Sequence, residues 1–356
     1  MSVSTQLKFT ILILLIAAGL LSYGFISGCG LIGSRTPDII INDPVIPLSN
    51  GNPAFNDSTH EDPYHADPAY DGSASNNSPF IIPIPKAPGT LTESNDRAFV
   101  DYSFKHHGYV TIGFADDTDK MLRVLIISPG GHDYIYNLDP GVNEVFPLSD
   151  GDGKYTISIH EHKHGNIFTD ILAVTIDVIM INEFAPFVRP NQYVFYCKDS
   201  PVTAKAIELS MESTCFLSRV EAIYNYVVEN IAYDFDLAET VEGGYTPDLD
   251  TILNRGSGIC FDIAALTAAM LRSQGIPAKL VFGNYYNPNF GNIYHAWVSV
   301  FAHEDGWVGE HSYFTSGTWN ILDPTVASIL GMGEIGINGS VITTNDGSIY
   351  HALYFY

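Results

Sequence analysis

Cys260 is the side chain of this sequence whose surroundings best suit a nucleophile. It follows the glycine-containing segment Gly256-Ser-Gly-Ile, and the residues after it have apolar side chains at helical spacing. This pattern predicts that Cys260 lies in the first turn of a helix ending near Gly275. The free N–H groups and the dipole at a helix N-terminus stabilise a thiolate, the nucleophilic form of cysteine. Taken alone, Cys260 fits a buried structural thiol at least as well.

An imidazole and a carboxylate follow on predicted strands. Lys279–Tyr286 and Ile293–Phe301 are predicted to form an antiparallel hairpin, with His295 on the same face as Trp297 and Ser299. A short aromatic and aliphatic run beginning at Trp319 then ends at Asp323. A thiol, an imidazole that takes its proton and a carboxylate that orients the imidazole are suited to acyl transfer.

Four blocks around these residues resemble the transglutaminase-like, papain-related superfamily, in that family's order. The blocks are Gly258–Ala264, Met270–Pro277, Tyr294–Trp297 and Leu322–Thr325. The resemblance covers about residues 200–330, and the blocks are specific only in combination. It implies an α+β fold, in which a helix-borne cysteine packs on an antiparallel sheet. It also implies that Cys260 is the nucleophile, His295 the general base and acid, and Asp323 the orienting carboxylate.

Two tyrosines are candidates for the oxyanion hole. The backbone N–H of Cys260 is one natural donor, and the hydroxyl of Tyr233 or Tyr245 could be a second. Both tyrosines also fit a role in the core. Trp297 and Trp319 could flank an acyl tunnel, but packing under the hairpin is the preferred interpretation of each.

Residues 1–28 predict a lipoprotein signal peptide. Lys8 precedes a mainly apolar run that ends at Ile26-Ser-Gly-Cys29, which resembles a bacterial lipobox with Cys29 as the lipid acceptor. An uncleaved transmembrane helix is the alternative. Residues 29–90 are rich in proline, asparagine and serine and predict an extended tether. The expected location is therefore the extracellular face of a bacterial cell membrane, held there by lipid.

Residues 91–196 predict an all-β, sandwich-like domain, and residues 197–356 the transglutaminase-like domain. Six short strands in the former are separated by turn signals. His160, His162 and His164 could share one strand face as metal ligands, but a solvated hairpin end is the preferred interpretation, so no metal site is predicted. A spacer, a substrate-orienting module and a wall-binding module all remain open for this domain.

Composition limits the partners. With 16 Lys and Arg against 40 Asp and Glu, the net charge of −24 disfavours nucleic acid. The expected substrate is a peptide or protein carboxamide, with cell-wall peptide as one option, and no cofactor is expected. The leading hypothesis is thiol-dependent acyl transfer or peptide and amide hydrolysis. The alternative is a catalytically silent surface protein that binds cell-wall components or peptides. Cys197 and Cys215 could form a disulfide or remain free thiols.

Overall fold

The computed structural model describes residues 39–40, 82–213, 215–287, 291–308, 312–330 and 349–356. Cys29, the predicted signal peptide and nearly all of the predicted tether lie outside these residues. Among the described residues, no helix is both long enough and apolar enough to cross a bilayer.

The first part of the described chain is built of antiparallel strands. Apart from a short 3₁₀ helix at Lys105–His107, residues 82–178 contain no helix. One sheet has the order β1-β9-β8-β5-β6 and the other has the order β2-β3-β4-β7. The strands are β1 (Ile39–Ile40), β2 (Thr92–Ser94), β3 (Ala98–Asp101), β4 (Tyr109–Phe114), β5 (Leu122–Ile127), β6 (Asp133–Leu138), β7 (Asn143–Pro147), β8 (Gly153–His164) and β9 (Ile167–Val178).

The second part mixes helices with short and long strands. After a 3₁₀ helix at Ala185–Val188, the chain contains α1 (Pro201–Ser210), α2 (Phe216–Asn230), β10 (Ala232–Tyr233), α3 (Phe235–Thr240), α4 (Leu249–Arg255), β11 (Ser257–Gly258) and α5 (Cys260–Ser273). It continues with β12 (Ala278–Asn287), β13 (Gly291–Phe301), β14 (Gly306–Val308), β15 (Ser312–Phe314), β16 (Trp319–Leu322), α6 (Pro324–Leu330) and β17 (Tyr350–Phe355).

Helix α5 is the centre of this second part. Every residue from Phe261 to Ser273 is buried, and the helix contacts both β12 and β13. The sheet under it is antiparallel and has the order β16-β13-β12-β17. A helix that is covered on all sides is a core element, which explains why its sequence is nearly free of charge. The α+β fold and the all-β region before it, both predicted from the sequence, are confirmed.

A single hydrophobic core runs through both parts of the chain. It includes Tyr134 and Tyr136 of β6 as well as most of α5. Tyr356, just after β17, packs edge-on against both of those tyrosines, with ring centroids 5.4 and 5.6 Å apart. Arg272 of α5 is fully buried and donates to the backbone carbonyls of Arg189 and Tyr356. Because the core is continuous, the boundary between residues 196 and 197 stays a prediction.

The histidines of β8 differ from the expectation in part. Strand β8 continues to His164, and His160 is fully buried and not part of a solvated hairpin end. Bulges beside His160 and after His162 interrupt the alternation that would have aligned the three imidazoles.

Of the two alternatives left open for the cysteines, the structure has the free thiols: Cys197 is exposed and Cys215 is half-buried. Cys215 caps helix α2, where its sulfur accepts from the backbone N–H of Ser218.

Candidate active site

Cys260 is the first residue of helix α5, as the sequence predicts. The carboxylate of Asp262, in the same turn, accepts from the backbone N–H of Ile259 at 3.0 Å and thereby fixes the start of the helix. A side chain at position 258 would clash with Asp262, because a Cβ built on Gly258 lies 2.6 Å from the Cβ of Asp262. The glycine of the motif therefore makes room for the carboxylate that caps the turn carrying Cys260.

His295 is buried on β13, the strand beside β12. Its Nε2 lies 2.8 Å from Oδ2 of Asp323, to which it donates. The Cys260 side chain lies near enough to this imidazole to raise its pKa. Because Nε2 is used by Asp323, Nδ1 is the nitrogen left for the thiol. The structure thus brings together the three residues that the sequence singled out, with the imidazole in the middle.

The position of Asp323 follows from its local sequence. Asp323 and Pro324 begin α6, with proline at the first helical position and Oδ1 of Asp323 accepting from the backbone N–H of Val326 at 3.0 Å. Helix capping uses one carboxylate oxygen and leaves the other for His295. The Asp-Pro-Thr end of the motif is therefore a capping sequence that also serves the imidazole.

The environment gives His295 a positive charge at neutral pH. Burial alone lowers the pKa of the imidazole, but the Asp323 carboxylate and its hydrogen bond, together with Cys260, outweigh burial and raise this pKa to about 10. An imidazolium next to a thiol is the form that stabilises a thiolate. The site therefore holds a positively charged imidazole beside the Cys260 side chain.

Aromatic rings enclose the imidazole. His295 lies 6.2 Å from the Trp297 ring and 5.7 Å from the Tyr285 ring, measured between centroids. Trp297 and Tyr285 belong to a small apolar cluster separate from the main core. Opposite His295, Gly283 has no side chain, and a Cβ there would lie 2.6 Å from the Trp297 ring. Trp297 therefore supports His295, whereas Trp319 packs on Phe301 and Phe187, away from this cluster.

The two oxyanion candidates are in different situations. Tyr233 pairs with Gly258 in a short parallel ladder, and burial together with the nearby Cys260 raises the pKa of its hydroxyl. The hydroxyl of Tyr245 donates instead to Oδ1 of Asp262 at 2.6 Å. A proton used in that bond is not available to a developing oxyanion. The geometry therefore favours Tyr233 over Tyr245, and either role stays a prediction.

Sequence reasoning missed two residues around the site. Tyr350, on β17, donates its hydroxyl to Oδ2 of Asp323 at 2.9 Å. Asp262 is fully buried, and burial, opposed by its hydrogen bonds, raises the pKa of its carboxyl to about 6. Asp262 stands inside the Cys260 motif and could have been suspected from the helix-capping pattern. No sequence pattern pointed to Tyr350, because it lies outside every motif block.

No metal site accompanies these residues in the part of the chain that the structure describes, since no group of three or more His, Cys, Asp or Glu side chains there could hold an ion.

Residues 203–309 match the family model described as the Transglutaminase-like superfamily. The matched segment contains Cys260 and His295 and ends before Asp323. Among curated proteins, UPF0252 protein MJ1282 of Methanocaldococcus jannaschii is 29% identical over 104 residues, which is 27% of this chain and 29% of that relative. This chain therefore matches less than a third of the relative's length.

Two solved structures are similar to the chain at low identity. One is a provisionally assigned cysteine protease from Cytophaga hutchinsonii, with 16% identity, a TM-score of 0.35, and coverage of 75% of this chain and 74% of that one. The other is red sea bream transglutaminase, with 12% identity, a TM-score of 0.28, and coverage of 61% and 48%. Neither similarity is strong enough to carry an inference. The family match, within a mixed helix and sheet fold, identifies residues 203–309 as a transglutaminase-like domain.

Proposed function

We propose that this protein is a thiol-dependent enzyme that cleaves or transfers an acyl group from a peptide or carboxamide substrate, with Cys260, His295 and Asp323 as its catalytic triad. The observation that carries the proposal is the buried His295, which donates to Asp323 and whose pKa is raised by Asp323 and by the nearby Cys260. A silent binding protein would not need a buried imidazolium beside a cysteine at a helix N-terminus, because each charge buried without a partner is costly.

The proposed reaction has two halves. The Cys260 thiolate attacks the substrate carbonyl carbon, forming a C–S bond and a tetrahedral oxyanion that accepts from the backbone N–H of Cys260 and the hydroxyl of Tyr233. The His295 imidazolium gives its proton to the departing nitrogen, the C–N bond breaks, and a thioester remains. Water or an amine then gives a proton to His295 as it attacks the thioester, and the thiolate leaves.

We infer that hydrolysis outruns transfer to amines. An acyl site must be dry and closed for an amine to compete with roughly 55 M water. The segment from Tyr285 to Asn292 contains three asparagines, and Tyr286 within it is 47% exposed. These features suit a site that is open to water.

The test of the proposed function is a competition assay on peptides that contain glutamine, with a saturating primary amine present. Ammonia, free acid and amine adduct are followed together in the native protein, in Cys260→Ala and in the control Cys197→Ala, which removes an exposed thiol. We expect free acid to exceed adduct, with both products absent only in Cys260→Ala. Product formation by Cys260→Ala would reject the triad, and an excess of adduct would replace hydrolysis with transfer.

We further propose that the protein is anchored through lipid on Cys29, at the extracellular face of a bacterial membrane. The support is the Ile26-Ser-Gly-Cys29 sequence after an apolar run. Membrane fractionation of Cys29→Ser, with mass spectrometry of the N-terminus, tests this proposal. We expect the variant to leave the membrane fraction and to carry no lipid. The anchor on Cys29 would be rejected if the native protein carried no lipid and the variant stayed in the membrane fraction as the native protein does.

A further inference from the structure

Asp323 has more hydrogen-bond donors than an orienting carboxylate requires. Its Oδ2 accepts from His295 Nε2 at 2.8 Å and from the Tyr350 hydroxyl at 2.9 Å, while Oδ1 accepts from the backbone N–H of Val326 at 3.0 Å. The Asp323 side chain is only 4% exposed. With donors on both oxygens and almost no access to water, the plane of this carboxylate is fixed by its protein partners.

Tyr350 is well placed to hold its hydroxyl still. The residue is 4% exposed, and its ring lies 5.0 Å from that of Trp297 and 5.2 Å from that of Tyr285. Its backbone pairs with that of Tyr285 across β12 and β17. An aromatic side chain packed on two rings loses little further freedom when its hydroxyl bonds to a neighbour.

The Tyr350 hydroxyl remains a donor over the pH range in which the enzyme would act. Burial raises the pKa of this phenol well above its ordinary value, and the Asp323 charge raises it further. The bond therefore always runs from the phenol to the carboxylate. A neutral donor of this kind stabilises ionised Asp323 without competing for the proton on His295.

We propose that Tyr350 is a positioning residue, which holds the Asp323 carboxylate in the orientation that sets the tautomer and the direction of His295. The proposal rests on the proposed function of the triad. It assigns a role in the site to the chain that follows α6, far outside the segment that matches the family model. Tyr350 contacts Asp323 and not the thiol, so it acts on the reaction only through the His295 and Asp323 pair.

The experiment is Tyr350→Phe, which keeps the ring and removes only the hydroxyl. Losing a hydrogen bond to a charged group should lower kcat by about 10- to 100-fold, with KM nearly unchanged because no substrate contact is removed. The control is Tyr313→Phe, which removes a hydroxyl from a 42% exposed tyrosine on β15. We expect kcat of the control to equal that of the native protein.

A second readout does not depend on turnover. The Nε2 proton of His295 should give a downfield proton NMR signal that is absent in His295→Ala, and Tyr350→Phe should shift it while Tyr313→Phe should not. An unmoved signal in folded Tyr350→Phe would overturn the proposal, as would a shifted signal with unchanged kcat. If Cys260→Ala were found to be as active as the native protein, the proposed function would fail separately, and the NMR signal would still decide whether Tyr350 orients the pair.

Discussion

Among the described residues, two buried histidines each approach an aspartate to 2.8 Å. In the β-rich part, His160 Nδ1 approaches Asp170 Oδ1, and in the transglutaminase-like part, His295 Nε2 bonds to Asp323 Oδ2. The first pair lacks the alignment of a hydrogen bond, and the second has it. The Asp170 side chain is 32% exposed, whereas that of Asp323 is 4% exposed. The two His and Asp pairs therefore have the same distance but different electrostatic environments.

The charge of the two imidazoles differs as a result. Burial lowers the pKa of His160, and the partly hydrated Asp170 does not compensate for it. For His295 the same burial penalty is outweighed by Asp323 and Cys260, and the pKa rises to about 10. At neutral pH, His160 is thus neutral and His295 is an imidazolium. In this chain, the pair whose carboxylate is shielded from water is the one with the charged imidazole.

The two imidazoles also differ in the group that lies on the side away from the aspartate. On the side away from the aspartate, His160 Nε2 lies 2.8 Å from the Ser158 hydroxyl, two residues along the same strand. His295 instead faces a thiol at the start of a helix, where the backbone favours a negative charge. A neutral imidazole beside an ordinary hydroxyl has a structural role, which we assign to His160.

The largest expected effect separates the two aspartates. Asp323→Asn cannot stabilise the imidazolium by charge and should lower kcat by about 10²- to 10⁴-fold while the protein stays folded. The matched change Asp170→Asn should leave kcat unchanged. Steady-state kinetics on the same peptide substrate measures both variants. Equal losses of kcat in Asp323→Asn and Asp170→Asn would show that the two His and Asp pairs do not differ in function.

A smaller effect is expected at the oxyanion. Tyr233→Phe should lower kcat by about 100-fold if its hydroxyl is a donor. In Tyr245→Phe the loss should be smaller, because that hydroxyl acts on the Asp262 cap and not on the substrate. Circular dichroism controls for folding in both. A loss in Tyr245→Phe that exceeds the loss in Tyr233→Phe would reverse this assignment.

A third expected effect, on stability and not on turnover, is in the pH dependence of unfolding. His295 has a raised pKa in the folded state, so its contribution to the free energy of unfolding is full below about pH 6.5 and is lost as the pH rises toward about 10. The pKa of His160 is lowered, so its contribution is present above about pH 6.5 and is lost as the pH falls. Urea unfolding of His295→Gln and His160→Gln against the native protein, at several pH values, measures both contributions. If the free energy of unfolding changed with pH in the same way in both variants, the opposite charges assigned to His295 and His160 would be wrong.

Much of the site could be predicted because its residues lie in local patterns. The start of α5 at Cys260 and the β12 and β13 hairpin follow from periodicity and turn residues, which act over a few positions. The burial of His160 could not be predicted, because it depends on a bulge and on strand pairing. Tyr350 could not be predicted either, because only the pairing of β17 with β12 brings it to Asp323. Free Cys215 became a helix cap, a use that sequence spacing does not indicate.

The central claim is that His295 and Asp323 make the Cys260 side chain unusually reactive. Its most direct test is alkylation with iodoacetamide at pH 6, where ordinary thiols are almost fully protonated, with each cysteine quantified by peptide mass spectrometry. Exposed Cys197 is the internal reference. We predict that Cys260 reacts much faster than Cys197 although it is less exposed, and that His295→Ala abolishes this advantage. A Cys260 that reacts no faster than Cys197, or equally fast with and without His295, would contradict the account.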